Sequence, residues 1–179
     1  MSGVQQRTGE LSVAEAVRAK RAVRTYSPEP VPEELVRAIV NAGRRAQSSK
    51  NDQPWIFVVV TEREQLQQLS TAGNYAAHIA TSAFTVVLVA PAGYDFDLGQ
   101  AAGYMQLAAV EHGIGSCVTT LHHSEAAHAL LGVPSELTCR LVDRIRLPGR
   151  GAGPAQGWRA LAARRGRTLR ALQLIAICA

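Results

Sequence analysis

The sequence has only three cysteines, and no two of them form a C-x-x-C pair. Cys117, Cys139 and Cys178 are an odd, scattered set, which argues against a disulfide framework. Reduced thiols of this kind are typical of cytosolic proteins, so we expect a cytoplasmic location.

Long apolar runs are also missing. The opening residues, MSGVQQRTGELSVAEAVRAKR, lack the continuous apolar stretch of a signal peptide. The longest buried-looking run, FTVVLVA at residues 84–90, is far too short to cross a bilayer. Apolar residues nevertheless make up 47% of the 179 residues, and the mean hydropathy is zero. These values predict one soluble globular domain with a core large enough to fold unaided.

Acidic residues are nearly absent from residues 140–179. Residues 1–139 carry ten Lys or Arg and thirteen Asp or Glu, a net charge of −3. Residues 140–179 carry nine Arg, no Lys and the single acid Asp143, a net charge of +8. Such a tail could bind nucleic acid through its phosphates, or be a solvated extension. Its Arg-, Ala- and Gly-rich composition also resembles a GC-rich gene read out of frame, which gives the hypothesis of a frameshift near residue 140.

Signals for helices and strands alternate along the first 145 residues. Short β-branched runs predict strands at PWIFVVVT, FTVVLVA and SCVTTL, while CRLVDRIRL is a weaker pattern because Asp143, Arg144 and Arg146 interrupt it. The alternation predicts a sheet covered by helices but leaves the strand order open. The helix signals are the capping boxes SVAE (residues 12–15) and TERE (residues 61–64), Pro32, Asp97 and Ser124 as starts, and Gly113 as an end.

A cationic stretch, KRAVRTY, follows the first predicted helix. Its Lys20, Arg21 and Arg24 could grip a phosphate, since guanidinium forks pair with phosphate oxygens. The alternative is a solvated basic turn that complements the dipole at the end of that helix.

A polar stretch, SSKNDQ, stands directly before the first strand. The hydroxyls and amides of Ser48, Ser49, Asn51 and Gln53 can both donate and accept, which suits a planar heterocycle with alternating carbonyl and N–H groups. The alternative is an ordinary Asx or Ser turn that leads into a strand.

A third stretch, EHGIGSCVTTLHH, contains a G-x-G, which alone is a weak phosphate signal without a third glycine or a Walker lysine. His122, His123 and His128 lack the i, i+4 spacing of a helical metal pair, so no metal is predicted. The chain has no G-x-S-x-G elbow to support a serine hydrolase.

Taken in this order, the three stretches resemble the nitroreductase family of FMN-dependent flavoenzymes. KRAVRTY is similar to the family motif R-R-S-x-R-x-[FY], and AQSSKNDQPW to A-P-S-S-x-N-x-Q-P-W. DLGQAAGYMQLAAVEHGIGSC is similar to D-x-G-x-A-x(5)-L-A-A-x(3)-G-[LI]-G-[ST]-C. The resemblance covers about residues 12–140, with Ala22 standing where the family often has Ser and Gln47 where Pro is common.

The resemblance implies an α+β fold, with a central, mainly antiparallel sheet covered by helices, in an intertwined homodimer that holds two FMN molecules at its interface. It implies an FMN-binding domain at residues 12–147 and an atypical arginine-rich tail at residues 148–179. The tail departs from the family pattern, and Arg165 or Arg167 is its candidate for the phosphate site.

The resemblance also implies roles for residues. Three sets of cofactor-binding residues follow from it, together with His78 and Thr81 near the pyrimidine side. The sets are Lys20, Arg21, Ala22 and Arg24 at the phosphate and ribityl chain; Ser48, Ser49 and Asn51 reaching the flavin from the partner subunit; and the backbone of Thr119, Thr120, Leu121 and His122 at the isoalloxazine edge near N5.

The implied activity is an NAD(P)H-dependent oxidoreductase. Hydride would pass from NADH or NADPH to flavin N5 and then to a nitroaromatic or quinone-like acceptor by a ping-pong mechanism, with no metal and no membrane. The stretch at residues 92–97 leaves little room for a lid, which favours a small, open nitroreductase over flavin enzymes of dehalogenation, flavin fragmentation or azoline oxidation. The alternatives from other classes are an FMN store or sensor without turnover and, less favoured, a nucleic-acid binder that uses the tail.

Overall fold

A computed structural model describes residues 11–24, 30–146 and 175–178. Within these ranges, five strands form one sheet in the order β3-β4-β2-β1-β5, and every neighbouring pair in it is antiparallel. The predicted α+β fold with a mainly antiparallel sheet is thereby confirmed. The strands are β1 Ile56–Val60, β2 Phe84–Pro91, β3 Gly115–Thr120, β4 Leu137–Arg146 and β5 Ile175–Cys178.

In the described part of the chain, five α-helices cover this sheet. The capping box at α1 is confirmed, because Ser12 Oγ accepts from the Glu15 N–H at 3.3 Å and the Glu15 carboxylate accepts from the Ser12 N–H at 2.8 Å. Pro32 is the N-cap of α2, and Gly113, with φ of 68°, lies just beyond the end of α4. The helices are α1 Val13–Ala19, α2 Glu33–Arg44, α3 Arg63–Ser70, α4 Asp95–Glu111 and α5 Ser124–Leu131.

Three predicted helix caps are wrong by one to three residues. The N-cap of α3 is Glu62 rather than Thr61, and Glu62 makes no side-chain capping bond. Asp97 lies inside the first turn of α4 rather than capping it. Gly93, with φ of 95°, turns the chain directly after β2, and the N-cap of α4 is Tyr94, three residues earlier than the sequence suggests. Ser124 is the first residue of α5, behind His123 as N-cap.

The core has two parts, one on each face of the sheet. Side chains of β1 alternate between them: Phe57 and Val59 pack with residues of α2 and α4, whereas Val58 and Val60 pack with residues of α3 and α5. The register of β1 and β2 places Phe57 opposite Leu88 and keeps each face apolar. The sheet is therefore a middle layer between two layers of helices.

The interrupted pattern CRLVDRIRL does form a strand. The backbone of β4 lies between β2 and β3, and Asp143 pairs with Val86 on one side and Val118 on the other. β5, which the sequence did not predict, pairs with β1, with Ile175 opposite Val59. No helix in the described ranges is both long and apolar enough to span a membrane.

Candidate functional site

The cationic stretch lies along the edge strand β3. After α1 ends at Ala19, the chain extends past Lys20 and runs parallel to β3, where Ala22 bridges to Ser116 and the Val23 N–H donates to the Ser116 carbonyl at 3.0 Å. Gly115 permits this approach, since a Cβ there would stand only 3.0 Å from the Val23 side chain. Two of the predicted stretches are thus neighbours in the fold, although more than 90 residues separate them in sequence.

The three cations of this stretch are not equivalent. Arg21 Nη1 donates to the carbonyl oxygens of Arg18 and Lys20, both at 2.7 Å, so its guanidinium caps the end of α1. For Arg21 the structure therefore supports the alternative role at the helix end. The side chains of Lys20 and Arg24 have no ion pair or hydrogen bond to any residue in the described ranges, and Arg24 is exposed. These two charges are available to an anion.

The other end of β3 carries the predicted ring-edge residues. Thr119 is half-buried, Thr120 is exposed at the last position of the strand, Leu121 is buried beneath the loop that follows, and His122 is exposed. From Ser116 to Thr120 the strand advances by about 13 Å, at roughly 3.3 Å per residue. The Ala22–Ser116 bridge and these residues therefore lie at opposite ends of one strand.

A loop at residues 71–75 is fixed against that second end. The His123 N–H donates to the Ala72 carbonyl at 2.9 Å, and the Asn74 N–H donates to His122 Nδ1 at 3.2 Å. Because Nδ1 accepts, the His122 ring in this arrangement carries its proton on Nε2. A Cβ on Gly73 would stand 2.7 Å from the Thr120 carbonyl oxygen, so only glycine permits this contact.

Aromatic side chains also lie beside this end of β3. The exposed Tyr75 ring meets the His122 ring edge-on, with centroids 6.1 Å apart. Sequence reasoning missed Asn74 and Tyr75, because nothing in their local pattern indicates that they meet His122 across 47 to 48 residues.

His78 and Thr81 lie on the short 3₁₀ helix Ala77–Thr81, which follows this loop. The Thr81 hydroxyl donates to the His78 carbonyl at 3.2 Å. His78 Nε2 is buried and has no hydrogen-bond partner within the described part of the chain. A buried ring nitrogen without a partner is costly, which makes His78 a suitable neighbour for a polar ligand atom.

The polar loop (residues 48–53) belongs to a different region of the chain. Ser48 Oγ accepts from the Gln53 N–H at 2.8 Å, as in the predicted turn, and the Ser49 N–H donates to the Asp97 carboxylate at 3.2 Å. Asn51 Oδ1 accepts from Gln53 Nε2 at 3.4 Å. The hydrogen bonds described for this loop run within it or to α4 and Tyr94, not to the cationic stretch or β3. One chain alone therefore brings two of the three stretches together.

Two further predictions concern residues and groups elsewhere. Arg167, like Arg165, lies outside the described residues. In the described ranges, no group of three or more His, Cys, Asp or Glu side chains is placed to hold a metal ion.

A sequence model of the nitroreductase family matches residues 17–91 and 74–142. This match spans most of the chain and includes all three polar stretches, so the chain belongs to the nitroreductase family. The match ends at residue 142, close to the point where the charge of the chain changes sign.

Individual relatives agree with this assignment. A protein of Archaeoglobus fulgidus, provisionally named NADH dehydrogenase/NAD(P)H nitroreductase, is 29% identical over 141 residues, which cover 72% of this chain and 81% of that protein. A crystal structure from Bacteroides thetaiotaomicron with the same provisional name is 25% identical, with a TM-score of 0.74 over 80% of this chain and 90% of that one. The structure of an FMN-dependent nitroreductase from Clostridium difficile is 24% identical, with a TM-score of 0.72 over 80% of this chain and 93% of that one.

Proposed function

We propose that this chain binds FMN along the exposed side of β3 and works as an NAD(P)H-dependent oxidoreductase. The observation that carries the proposal is the Ala22–Ser116 bridge, because it lays the cationic stretch beside the same strand that ends at residues 119–122. The names of the relatives, which include NAD(P)H nitroreductase and FMN-dependent nitroreductase, support the donor and the cofactor.

The donors present fit a flavin mononucleotide. Lys20 and Arg24, with no acidic partner in the described ranges, suit the dianionic phosphate at one end of β3. The Ala22 backbone lies between them and fixes the cationic stretch against β3, while Arg21 caps the end of α1. Peptide groups of residues 119–122 suit the polar edge of the ring at the other end of the strand.

Residues after β3 and on the 3₁₀ helix Ala77–Thr81 would restrict and orient the ligand at the end of β3. The exposed His122 ring would offer its Nε2–H as a donor, since its Nδ1 accepts from the Asn74 N–H. His78 and Thr81 would face the pyrimidine side. When bound, FMN supplies the redox chemistry, taking hydride from NADH or NADPH and reducing a nitroaromatic or quinone-like acceptor in a ping-pong cycle.

We further propose that the working unit is a homodimer in the cytosol. Ser48, Ser49 and Asn51 lie on a loop held by α4, so in this arrangement they would complete the flavin site of a second copy. Exposed apolar side chains are available for association: Val13 is 76% exposed, Val17 57% and Phe96 78%. The reducing cytosol suits the free thiols Cys117 and Cys139.

The visible spectrum of the purified protein tests the proposal. We expect flavin bands that survive a desalting column after incubation with FMN, and FMN as the chromophore released by denaturation. A protein that stays colourless after loading would overturn the proposal.

Steady-state oxidation of NADH and NADPH separates an enzyme from a flavin store or sensor. We expect turnover that requires both FMN and an acceptor, with parallel lines in double-reciprocal plots as the sign of ping-pong kinetics. Retained FMN without acceptor-dependent oxidation would favour the store or sensor instead.

A further inference from the structure

The polar loop has a strained backbone. Lys50, Asn51 and Gln53 adopt φ angles of 52°, 59° and 46°, all in the left-handed region. Asparagine tolerates this region, but lysine and glutamine rarely occupy it. Strain of this kind persists only where surrounding contacts impose it, and in proteins it concentrates at functional sites.

Besides the bond from the Gln53 N–H to Ser48 Oγ inside the loop, the contacts that hold this backbone come from α4 and the residue before it. The Ser49 N–H donates to Asp97 Oδ2 at 3.2 Å, and the Tyr94 hydroxyl donates to Asp52 Oδ2 at 3.1 Å. Gln47 bonds to the side chains of Gln100 and Tyr104, one turn and two turns further along the helix than Asp97. Helix α4 and Tyr94 directly before it therefore hold both ends of the loop.

Asp97 is the most buried of these anchors. It is only 6% exposed, whereas Gln47 and Asp52 are exposed and their bonds compete with water. Its position in the first turn of α4 suits a carboxylate, because the helix dipole favours negative charge there. An ionised acceptor of a backbone N–H also makes a stronger hydrogen bond than a neutral one.

We infer that Asp97 is a positioning residue for the flavin site: its carboxylate holds the Ser49 N–H and thereby keeps the polar loop in the left-handed conformation that presents Ser48, Ser49 and Asn51 to the cofactor. This inference rests on the proposed function, since it names the residue that prepares one part of that site. Asp97 itself touches no cofactor in this assignment, because its carboxylate is buried behind the loop.

The test compares FMN dissociation constants, from flavin fluorescence, across variants at Asp97 and Lys50. We expect Asp97→Ala to weaken FMN binding by about 10-fold, because a hydrogen bond to a charged group is lost. Asp97→Asn keeps a carbonyl acceptor, so we expect it to stay within about 3-fold of the wild type.

Variants of Lys50 distinguish this positioning role of Asp97 from a general stabilising role. Glycine adopts the left-handed region without cost, so Lys50→Gly should restore most of the FMN affinity in the Asp97→Ala background. Lys50→Ala removes the same charge and keeps the strain, so it should restore none. If Asp97→Ala does not fold, Lys50→Gly and Lys50→Ala are compared in the wild-type background instead. We then expect Lys50→Gly to bind FMN about 3-fold more tightly than Lys50→Ala.

Hydrogen exchange adds a readout that needs no cofactor. The peptide covering residues 48–53 should exchange faster in Asp97→Ala than in the wild type. Equal exchange, equal FMN affinity, or equal effects of Lys50→Gly and Lys50→Ala would overturn the inference while leaving the proposed function intact. A wild type that fails to retain FMN would overturn the proposed function, and the inference with it.

Discussion

Arg21 and Arg24 are three residues apart in one motif, yet their surroundings differ. Arg21 donates to two carbonyls at the end of α1, while Arg24 has no partner in the described ranges. Sequence reasoning treated the two arginines alike, because a guanidinium can pair with a phosphate or with a helix end equally well. Only the path of the chain beyond Lys20 separates the two roles.

Replacement of Arg24 tests the phosphate role. Arg24→Ala should raise the dissociation constant of FMN by about 10-fold, as expected for the loss of one charge-assisted hydrogen bond. The control is Arg37→Ala on α2, where the exposed Glu33 pair at 2.6 Å contributes little. Titration of each apoprotein with FMN measures both, and equal losses would mean that net charge, not position, governs binding.

Buried thiols give a second prediction at this scale. Burial raises the pKa of the Cys139 thiol to about 11, above its ordinary value of 9.0. The stabilisation that follows from this shift is complete below the unfolded value and is lost as the pH rises from about 9 towards 11. Brief treatment of the native protein with iodoacetamide at pH 8 should leave Cys139 and the buried Cys117 unmodified, whereas the unfolded chain should react at both. Mass spectrometry of the peptides would show it, and rapid labelling of native Cys139 would contradict the burial.

The helix α1 is short, and its cap matters because the cationic stretch begins at its last turn. Ser12→Ala removes the capping bond and should lower the free energy of unfolding by about 1 kcal/mol. The hydrogen bonds from Ser12 lower the pKa of the Glu15 carboxyl, so the contribution of this capping box is present at neutral pH. It is lost as the pH falls through the lowered pKa.

Urea unfolding of Ser12→Ala and Ser70→Ala at pH 7 provides the measurement. Ser70 lies at the end of α3, and its hydroxyl donates back to the Gln67 carbonyl rather than capping an N–H, so its replacement should cost clearly less. A cost at Ser12 no greater than at Ser70 would contradict the capping box.

The strands show where local pattern and fold disagree. β1, β2 and β3 were predicted within two residues of their observed limits, because each is a short run of apolar, β-branched residues. The charged run of β4 was a weak prediction, yet its backbone fills the space between β2 and β3. The backbone groups of β2 and β3 need hydrogen-bond partners, and this requirement favours a strand between them whatever its side chains. The local pattern of β4 contains no sign of this requirement.

Ligand binding should raise the stability of the whole molecule. With FMN at about 100 times its dissociation constant, we expect the free energy of unfolding to rise by about 2.7 kcal/mol, or roughly 5–10 °C in Tm. Riboflavin at the same concentration, which lacks the phosphate, should give a clearly smaller shift if Lys20 and Arg24 bind that group. Equal shifts in a thermal unfolding assay would argue against the phosphate site.

The tail raises a separate question about the whole chain. The family match ends at residue 142, and the net charge changes from −3 over residues 1–139 to +8 over residues 140–179. Under the frameshift hypothesis, protein made from the native locus should differ in mass from the 19.1 kDa of this sequence. Intact-mass spectrometry decides it, and a mass equal to this sequence would end the hypothesis.

The sequence by itself determined the family, the strand-rich core and the residue types of the site, because these depend on local periodicity and on three ordered motifs. Tertiary structure alone decided which of those residues meet. The Ala22–Ser116 bridge, the His122–Asn74 contact and the Ser49–Asp97 bond join residues 48 to 94 positions apart. Asp97 illustrates the difference: its local pattern indicated a helix cap, whereas the structure places it within the first turn of α4, where its carboxylate accepts from the Ser49 N–H of the polar loop. Contacts at such separations depend on the order and pairing of the strands, which no local pattern encodes.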